Sequence, residues 1–333
     1  MKITLFEITE EDKNYLTPML VGMDAIYYKE PLSIKNADLA KEAEIISVFV
    51  NSEVHKDLID QLPNLKFIVT ASTGYDHIDI AYAKEKGIPV ANVPAYGSQT
   101  VAEFTFALLL TLSRKIYWAS HALREESSFD LTQREGFDLE GKTMGVIGTG
   151  KIGQNVVRIA KGFNINVIAT DPRPKEDLAK QFGFEYVDLD TLLQKSDIIT
   201  IHVPYLKETH HLINHENLGK VKKGAILINT ARGEIVETEA LVKALAEGRL
   251  GGAGIDVLEG ERELKQEKTL LTEEVRIQNM RQLLEDHVLI DMPQVVVTPH
   301  MAFFTKEAIG RIMQTTADNI KNFIAGKPQN IVN

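Results

Sequence analysis

The sequence lacks cysteine, long hydrophobic runs and blocks of lysine or arginine. Because there is no cysteine, disulfides and thiolate metal or nucleophile chemistry are excluded, which fits a reducing compartment and favours the cytoplasm. The 37 basic and 47 acidic residues give a net charge of −10, so nucleic acid is not an expected partner. The most apolar stretch, residues 101–112, is too short to span a bilayer, and the first residues indicate a strand and not a signal peptide. No membrane partner is therefore expected.

The composition that remains is typical of a soluble globular protein, with 44% hydrophobic and 25% charged residues. A chain of 333 residues is longer than one hydrophobic core usually grows, so two domains are expected. The sequence contains neither a solenoid repeat nor a low-complexity segment. The composition and length therefore indicate the class of protein and the number of domains, and only the motifs can indicate the function.

Short apolar runs alternate with helical patterns along most of the chain. In the first hundred residues, strands are predicted at 3–8, 44–50, 66–71 and 89–93, and helices at 12–21, 53–61 and 80–86. The alternation restarts after residue 140, with strands at 143–148, 166–170, 197–203, 225–229, 254–258 and 295–297 and a helix at 237–247. Since strands that alternate with helices form right-handed crossovers, each region predicts a doubly wound, mainly parallel sheet.

A glycine-rich motif stands at the start of the second region. Gly148, Gly150 and Gly153 form a G-x-G-x-x-G pattern between a predicted strand and a helix, and Asp171 ends the next strand. The first glycine allows a tight turn, the second lets backbone approach a pyrophosphate, and the third lets helix pack against strand. The helix N-terminus faces the anion, and the acid accepts the adenosine ribose hydroxyls and repels a 2′-phosphate. The motif therefore predicts an NAD site.

Two segments depart from the simple alternation. Thr100 and Glu103 match a capping box at the start of an apolar helix, which we expect to be buried and to serve as an interface element. Residues 261–291 interrupt the strand pattern with many charges. Their part 272–285 predicts an amphipathic helix with four apolar residues, Val275, Met280, Leu283 and Leu284.

A last helical pattern, at 306–324, follows the final strand. It cannot add a parallel strand, so we expect it to pack back on the first domain. The sequence therefore predicts an α/β protein in which a dinucleotide-binding Rossmann domain, residues 100–300, is inserted into a substrate domain. That substrate domain is expected to be flavodoxin-like and discontinuous, comprising residues 1–99 and 301–333.

Polar residues follow two neighbouring strands of the second region, at the edge where an open α/β sheet binds its ligand. Arg232 offers a planar fork for a carboxylate, although an ion pair with a surface acid would explain it equally well. Asp256, Glu259 and Glu261 follow the next strand. One of these acids could be the partner of a catalytic imidazole, or all three could form a solvated loop edge.

Histidine is the side chain best suited to proton transfer near neutral pH, and His300 directly follows the last predicted strand. His202 also follows a strand and is a competitor for this role. The pair His210 and His211 has no evident acid partner, and sequence neighbours project in different directions, so we expect no metal there. An arginine, an acid and a histidine beside a dinucleotide site predict hydride chemistry on an anionic carbonyl compound.

These segments together resemble the D-isomer-specific 2-hydroxyacid dehydrogenases over essentially the whole chain. The resemblance is carried by residues 72–79 (STGYDHID), 97–103 (GSQTVAE), 141–153, 202–204 (HVP), 229–233 (NTARG) and 298–300 (TPH). The five residues after His300, MAFFT, are most similar to the D-lactate dehydrogenase branch. The resemblance implies NAD as cofactor, a small 2-keto or 2-hydroxy acid as substrate and a homodimer.

The resemblance also implies roles for individual residues. Arg232 would bind the substrate carboxylate, His300 would act as acid and base, and Glu261 would hydrogen-bond that histidine and raise its pKa. The backbone around Thr73 and Gly74 would bind the substrate carboxylate. The implied cofactor contacts are Gly148, Gly150, Lys151, Ile152, Gly153, Asp171, Val203, Pro204, Thr209, Thr230, Ala231 and Asp256.

Two assignments stay open at this point. Many family members have Glu-Pro after the strand, whereas here the sequence is Glu259-Gly260-Glu261, so Glu259 is a rival for the acid. Arg173 stands two residues after Asp171 and could tolerate the phosphate of NADP.

The substrate is the third open assignment. Pyruvate and D-lactate are the leading pair, with reduction favoured near neutral pH because it consumes a proton. Phe303 and Phe304 would suit a pocket for phenylpyruvate or 2-ketoisocaproate, or would pack at the base of the last helix. Formate dehydrogenases pair the histidine with glutamine, which the acids here disfavour. An NAD-sensing corepressor that binds peptides is a further alternative, although the chain has no long disordered extension.

Overall fold

The computed structural model describes residues 1–132, 134–261 and 277–333. The chain forms two compact units. The first consists of Met1–Tyr96 and Phe304–Asn333, and the second of Gly97–Phe303. The domain boundaries expected from the sequence, after residues 99 and 300, lie three residues from those of the compact units.

The first unit contains a five-stranded parallel sheet. Its strands are β1 (Lys2–Leu5), β2 (Asp24–Tyr27), β3 (Ile45–Val48), β4 (Phe67–Thr70) and β5 (Val90–Ala91). Their spatial order is β2-β1-β3-β4-β5, and every neighbouring pair is parallel. This is the order of a flavodoxin-like sheet, as the sequence predicts.

Helices of the first unit come from both ends of the chain. They are Glu10–Met19, Lys56–Ile59, Ile80–Glu85 and Lys306–Ile324, with a 3-10 segment at Ile34–Ala40. The last helix packs against the first helix and against β4, where the rings of Phe67 and Phe323 stack with centroids 4.1 Å apart. The end of the chain therefore contributes to the core of the first unit.

The second unit contains a seven-stranded parallel sheet. Its strands are β6 (Thr143–Ile147), β7 (Asn166–Thr170), β8 (Glu185–Tyr186), β9 (Ile198–Ile201), β10 (Ala225–Asn229), β11 (Leu250–Ile255) and β12 (Val295–Val297). The order β12-β11-β10-β9-β6-β7-β8 reverses direction between β6 and β9. Six of these strands reproduce the order of the dinucleotide-binding fold, in which ligands bind at that reversal. The two sheet orders confirm the predicted fold class.

Strand residues of the second unit alternate between two apolar cores. Met144 and Val146 face one core and Ile147 the other, as expected for a sheet whose two faces are both covered by helices. The helices are Ser98–Ser113, Ile116–Glu126, Lys151–Gly162, Glu176–Phe182, Leu189–Lys195, His215–Leu218, Thr238–Ala246 and Ile277–Asp291. Within the described residues, no helix combines the length and apolarity needed to cross a membrane.

Some sequence predictions need correction. The apolar helix begins at Ser98 with Gly97 as its N-cap, so Thr100 lies inside the helix and is buried, and the capping-box prediction is wrong. Strands β2 and β8 are not predicted from the sequence, because both lie at sheet edges and neither is a buried apolar run. The strand expected at 254–258 is instead β11, which begins four residues earlier and carries three glycines, Gly251, Gly252 and Gly254, that conceal its pattern.

The helix expected at 272–285 lies partly outside the described residues, which resume at Ile277. In the described part, Met280 is 55% exposed and Leu284 is 64% exposed, and Asp286 is buried instead. Met280 and Leu284, two of the four apolar residues in this pattern, therefore do not mark the buried face of the helix.

Candidate active site

Three adjacent parallel strands bring the predicted catalytic residues to one edge of the second unit's sheet. Asn229 of β10 is in register with Ile255 of β11, which is in register with Val297 of β12. Arg232, Glu261 and His300 follow the carboxyl ends of these three strands. Residues that are far apart in sequence are thus gathered by strand order.

His300 and Glu261 form a hydrogen-bonded pair. Nδ1 of His300 lies 2.9 Å from Oε2 and 3.2 Å from Oε1 of Glu261. Because a carboxylate only accepts hydrogen bonds, Nδ1 carries the proton and Nε2 is left to exchange a proton with a ligand. Each of the two side chains is about one quarter exposed, 26% for the histidine and 24% for the glutamate, so the pair is open to solvent on one side.

The backbone of His300 is held in an unusual conformation. Its φ of +54° lies in the left-handed region, which a non-glycine residue occupies at a cost of roughly 1–3 kcal/mol. The His300 N–H donates to the Asp256 carbonyl over 2.8 Å. Surrounding hydrogen bonds must therefore maintain the position of the imidazole.

Asp256 supplies most of those hydrogen bonds. Its buried carboxylate accepts from Thr298 Oγ1 at 2.6 Å, from the Met301 N–H at 2.9 Å and from the Ala302 N–H at 2.8 Å. Burial raises the pKa of Asp256, although these three bonds and the nearby His300 oppose the rise. The sequence assigns this aspartate a cofactor contact, which stays a prediction, and its carboxylate also organises the loop that carries His300.

Arg232 lies on a loop braced by Asn229. The Asn229 side chain donates to the Arg232 carbonyl at 2.8 Å and accepts from the Ala231 N–H at 3.0 Å. The guanidinium donates through Nη1 to the Ala231 carbonyl at 2.8 Å. A half-buried arginine on a braced loop presents a planar set of N–H donors that suits a carboxylate.

Glu259, the rival acid, has different partners. Its Oε1 lies 2.6 Å from Nε2 of His211, and its Oε2 accepts from Thr238 Oγ1 at 3.0 Å. The expectation that the His210–His211 pair lacks an acid partner is therefore wrong. The two imidazoles stack with their ring centroids 3.9 Å apart.

His202, the rival histidine, lies beneath the glycine loop. Its Nε2 is 2.8 Å from Thr200 Oγ1, and its buried Nδ1 has no hydrogen-bond partner among the described residues. Although part of the residue reaches solvent, burial of the ring lowers the pKa of His202 to about 3. This imidazole is therefore neutral over the physiological pH range and cannot supply a proton there.

The glycine loop has the geometry that a dinucleotide requires. Gly148 has a φ of +93°, and a Cβ there would lie 2.8 Å from Val203 Cγ1. A Cβ on Gly153 would collide with the Gly148 carbonyl oxygen, so the helix packs closely against β6. A Cβ on Gly150 would meet nothing within 4 Å, which leaves space beside the N-terminus of helix Lys151–Gly162. These features fit a bound pyrophosphate.

Asp171 is fixed at the end of β7 beside this loop. Its Oδ2 accepts from the Thr149 N–H at 2.7 Å and from Thr149 Oγ1 at 2.9 Å, and its Oδ1 accepts from the Arg173 N–H at 2.8 Å. Burial alone would raise the pKa of Asp171, but these hydrogen bonds hold it below the usual value. Sequence reasoning misses Thr149, because it occupies an unspecified position of the motif.

Other predicted cofactor positions surround the same reversal of strand order. Thr209 Oγ1 donates to the Pro204 carbonyl at 2.7 Å, which closes the loop after β9. Thr230 Oγ1 lies 3.2 Å from Thr105 Oγ1 at the end of β10. Contacts of these residues with a cofactor stay predictions.

The predicted substrate residues Thr73 and Gly74 lie in the first unit, just after β4. Thr73 Oγ1 donates to the Val93 carbonyl at 2.8 Å, and the Thr73 carbonyl accepts from Asn92 at 2.8 Å. Ser72 Oγ donates to the Gly74 carbonyl at 2.6 Å. The N–H groups of Thr73 and Gly74 have no partner among the residues that the structure describes. Adjacent N–H groups of this kind suit an anion.

Comparison with known proteins identifies similar chains. Residues 106–302 match the family model for the NAD binding domain of D-isomer specific 2-hydroxyacid dehydrogenases. A 2-hydroxyacid dehydrogenase homolog of Schizosaccharomyces pombe is 40% identical over 300 residues, which cover 89% of this chain and 88% of that protein. The D-lactate dehydrogenase of Escherichia coli K12 is 35% identical over 334 residues, which cover 98% of each.

A solved structure extends the similarity to three dimensions. D-lactate dehydrogenase from Aquifex aeolicus, complexed with NAD and lactic acid, superimposes with a TM-score of 0.88 at 37% identity. The match covers 98% of this chain and 96% of that one. The similarity therefore includes both compact units.

Proposed function

Because this chain belongs to the D-isomer specific 2-hydroxyacid dehydrogenases, we propose that it reduces a small 2-keto acid to the D-2-hydroxy acid. Membership of this family makes it an NAD-dependent oxidoreductase. We propose pyruvate and D-lactate as the substrate pair, because the similar proteins of Escherichia coli and Aquifex aeolicus are D-lactate dehydrogenases. The proposal depends on one observation, the hydrogen-bonded pair of His300 and Glu261, which lies at the same edge of the sheet as Arg232.

His300 is the proposed acid in reduction. Its Nε2 donates a proton to the carbonyl oxygen of the keto acid, which becomes the hydroxyl of the product, and Nε2 accepts that proton in the reverse direction. Glu261 holds Nδ1 at 2.9 Å, fixes the ring orientation and stabilises the protonated imidazole. The neutral His202 cannot take this role.

Arg232 is the proposed binding site for the substrate carboxylate. A bidentate pair with the guanidinium orients the keto acid and places positive charge near the carbonyl oxygen, where negative charge develops during reduction. In the first unit, we propose the N–H groups of Thr73 and Gly74 as a binding site for a carboxylate.

The glycine loop and Asp171 are proposed to hold NAD. The N–H groups at the start of helix Lys151–Gly162 would bind the pyrophosphate, and the Asp171 carboxylate would accept the ribose hydroxyls. The chemistry that bound NADH supplies is transfer of a hydride to the carbonyl carbon. Asp171 would repel a 2′-phosphate, so we propose NAD and not NADP, in spite of the exposed Arg173.

The second unit also carries a candidate surface for the proposed homodimer. Large apolar side chains are exposed on helix Ile116–Glu126 and after it, with Tyr117 at 55%, Phe129 at 84% and Leu131 at 80%. The helix Ser98–Ser113 buries many of its apolar residues within the unit, as the sequence predicts, and its part in an interface stays a prediction. Light scattering after gel filtration tests the dimer, and a Phe129→Ser, Leu131→Ser variant should shift toward monomer. A wild-type monomer at micromolar concentration would contradict this proposal.

The reaction is tested by NADH oxidation with a panel of 2-keto acids and determination of the product's chirality. We expect turnover with pyruvate and a D product. Higher kcat/KM with phenylpyruvate or 2-ketoisocaproate would move the preference to bulkier acids. An L product would contradict the proposed stereochemistry, and binding of NADH without turnover on any keto acid would favour a sensor or corepressor.

The residue roles are tested by isosteric substitution. Glu261→Gln should lower kcat strongly, by roughly 100-fold, because the charge beside the imidazolium is lost. If Glu261→Gln barely changes turnover and its pH profile while Glu259→Gln abolishes activity, the acid has been assigned to the wrong glutamate.

A further inference from the structure

Glu261 reaches His300 from a short turn that follows β11. Strand β11 ends at Ile255, and the segment from Leu258 to Gly260 leads to Glu261. The position of the Glu261 carboxylate therefore depends on what fixes this turn.

One side of the turn packs against the loop that carries Arg232. Gly233 is buried, and a Cβ there would collide with the carbonyl group of Leu258 and the N–H of Glu259. The contact is backbone against backbone, so the two segments cannot approach each other more closely. The arginine loop and the glutamate turn are thus packed directly against each other.

The other side of the turn packs against helix Ile277–Asp291. A Cβ on Gly260 would lie 2.8 Å from Gln282 Cγ and closer still to the Asp286 carboxylate. Gln282 also donates to Thr238 Oγ1 at 3.1 Å. The turn is therefore enclosed between the backbone at Gly233 on one side and the side chains of Gln282 and Asp286 on the other.

The side chain of Glu259 is the polar anchor of the turn. Both of its oxygens are engaged, Oε1 with His211 Nε2 at 2.6 Å and Oε2 with Thr238, from its hydroxyl at 3.0 Å and its N–H at 3.3 Å. The side chain is only 17% exposed, so these hydrogen bonds are largely shielded from water. It lines a cavity of about 190 Å³ together with His211, Thr238 and Gln282.

We propose that Glu259 is a positioning residue, which through His211 and Thr238 fixes the turn that presents Glu261 to His300. This inference rests on the proposed function, because it assumes that the Glu261–His300 pair takes part in the reaction. The two glutamates then divide their tasks. Glu261 acts on the imidazole, and Glu259, two residues earlier, acts on Glu261 through the backbone.

The test is a double-mutant cycle in which the kcat for reduction of the keto acid is measured with the full-length protein. Glu259→Ala should lower kcat by about 10-fold or more, with the KM for NADH unchanged, because a displacement of about 1 Å in a catalytic group costs up to roughly 100-fold. In the Glu261→Ala background, the same substitution should lower kcat by less than about 2-fold, since the residue through which it acts is gone. A general loss of folding would give the same factor in both backgrounds.

Two further variants complete the cycle. Glu259→Gln keeps an oxygen for Thr238 and an N–H for a neutral His211, so it should retain kcat within about 3-fold. Glu239→Ala is the matched control and should leave kcat unchanged, because Glu239 lines the same cavity but is exposed and pairs with Arg281 on the helix. If Glu259→Ala does not fold, His211→Leu removes the Oε1 contact and should lower kcat by about 3-fold, again only when Glu261 is present.

The outcomes separate this inference from the proposed function. If the wild type reduces keto acids and Glu261→Ala is impaired, but Glu259→Ala matches the wild type or lowers kcat equally in both backgrounds, the inference alone is overturned. If the wild type reduces no keto acid, or if Glu261→Ala is fully active, the proposed function fails and the inference fails with it.

Discussion

Replacing His202 with glutamine should remove a pH-dependent loss of stability from the second unit. Nδ1 of His202 is buried without a partner among the described residues, and burial lowers the pKa of His202 to about 3. In the unfolded chain, this histidine should titrate near its ordinary pKa of 6.5. Acidification therefore protonates the unfolded state before the folded state, and the free energy of unfolding falls.

The magnitude follows from the two pKa values. Above pH 6.5 the imidazole is neutral in both the folded and the unfolded state and costs no stability. As the pH falls through 6.5 toward about 3, the free energy of unfolding decreases progressively. Between about pH 7.5 and about pH 5, the wild type should lose about 2 kcal/mol of unfolding free energy through this residue, at about 1.36 kcal/mol per pH unit. Glutamine cannot take up a proton, so a His202→Gln variant lacks this contribution whatever its stability at neutral pH.

Urea unfolding at a series of pH values measures the difference. Trp118 is the single tryptophan of the chain and lies in the same compact unit as His202, so its fluorescence reports the relevant transition. The free-energy curves of the wild type and His202→Gln should diverge by about 2 kcal/mol over this pH range. An exposed histidine, His121, provides the control in a His121→Gln variant.

Parallel curves would refute the reasoning. They would mean that the folded state binds the proton as readily as the unfolded state, and that His202 could then exchange a proton during turnover. Because this result would restore His202 as a rival of His300, the stability experiment also bears on the proposed acid.

Three further predictions concern the cofactor and substrate sites. Asp256→Asn should lower kcat by roughly 10-fold and cost about 1–3 kcal/mol of stability, because an amide N–H₂ would oppose a backbone donor in the loop of His300. Steady-state kinetics and urea unfolding measure the two effects. An unchanged kcat would contradict the role of Asp256 in holding the loop that carries His300. Arg232→Lys should lower kcat/KM for pyruvate by about 100-fold and leave NADH binding by fluorescence titration unaffected, because the planar fork is lost; equal loss with both ligands would argue against carboxylate binding. The wild type should have a higher kcat/KM with NADH than with NADPH, and Asp171→Ala should narrow the ratio; a wild type that prefers NADPH would show that the aspartate does not select the cofactor.

The parts of the fold that depend on local sequence could be predicted well. The last helix and strands β7, β10 and β12 have the predicted bounds, because apolar periodicity and capping act within a few residues. The edge strands β2 and β8 could not be predicted, since pairing at a sheet edge requires little apolar sequence.

The candidate site also has parts that the sequence predicts and parts that it does not. The G-x-G-x-x-G motif and Asp171 are local, because one β-α-β unit contains every part that binds a dinucleotide. Thr149 fixes that aspartate, but a threonine can occur at many positions of a loop, so the sequence does not single it out. Its role is visible only from the 2.9 Å distance to Oδ2.

By itself, the sequence determined the dinucleotide loop, the parallel α/β class and the family, since these depend on residue types at short and regular spacings. Only the tertiary structure decided which glutamate faces His300, because Glu259 and Glu261 are chemically alike and separated by a single glycine. Their partners, His211 and His300, lie 48 and 39 residues away along the chain. Strand order brings those partners near, because His300 follows β12, the neighbour of β11, and His211 follows β9, two strands from β11. Burial, which no sequence position reveals, decides that His202 stays neutral.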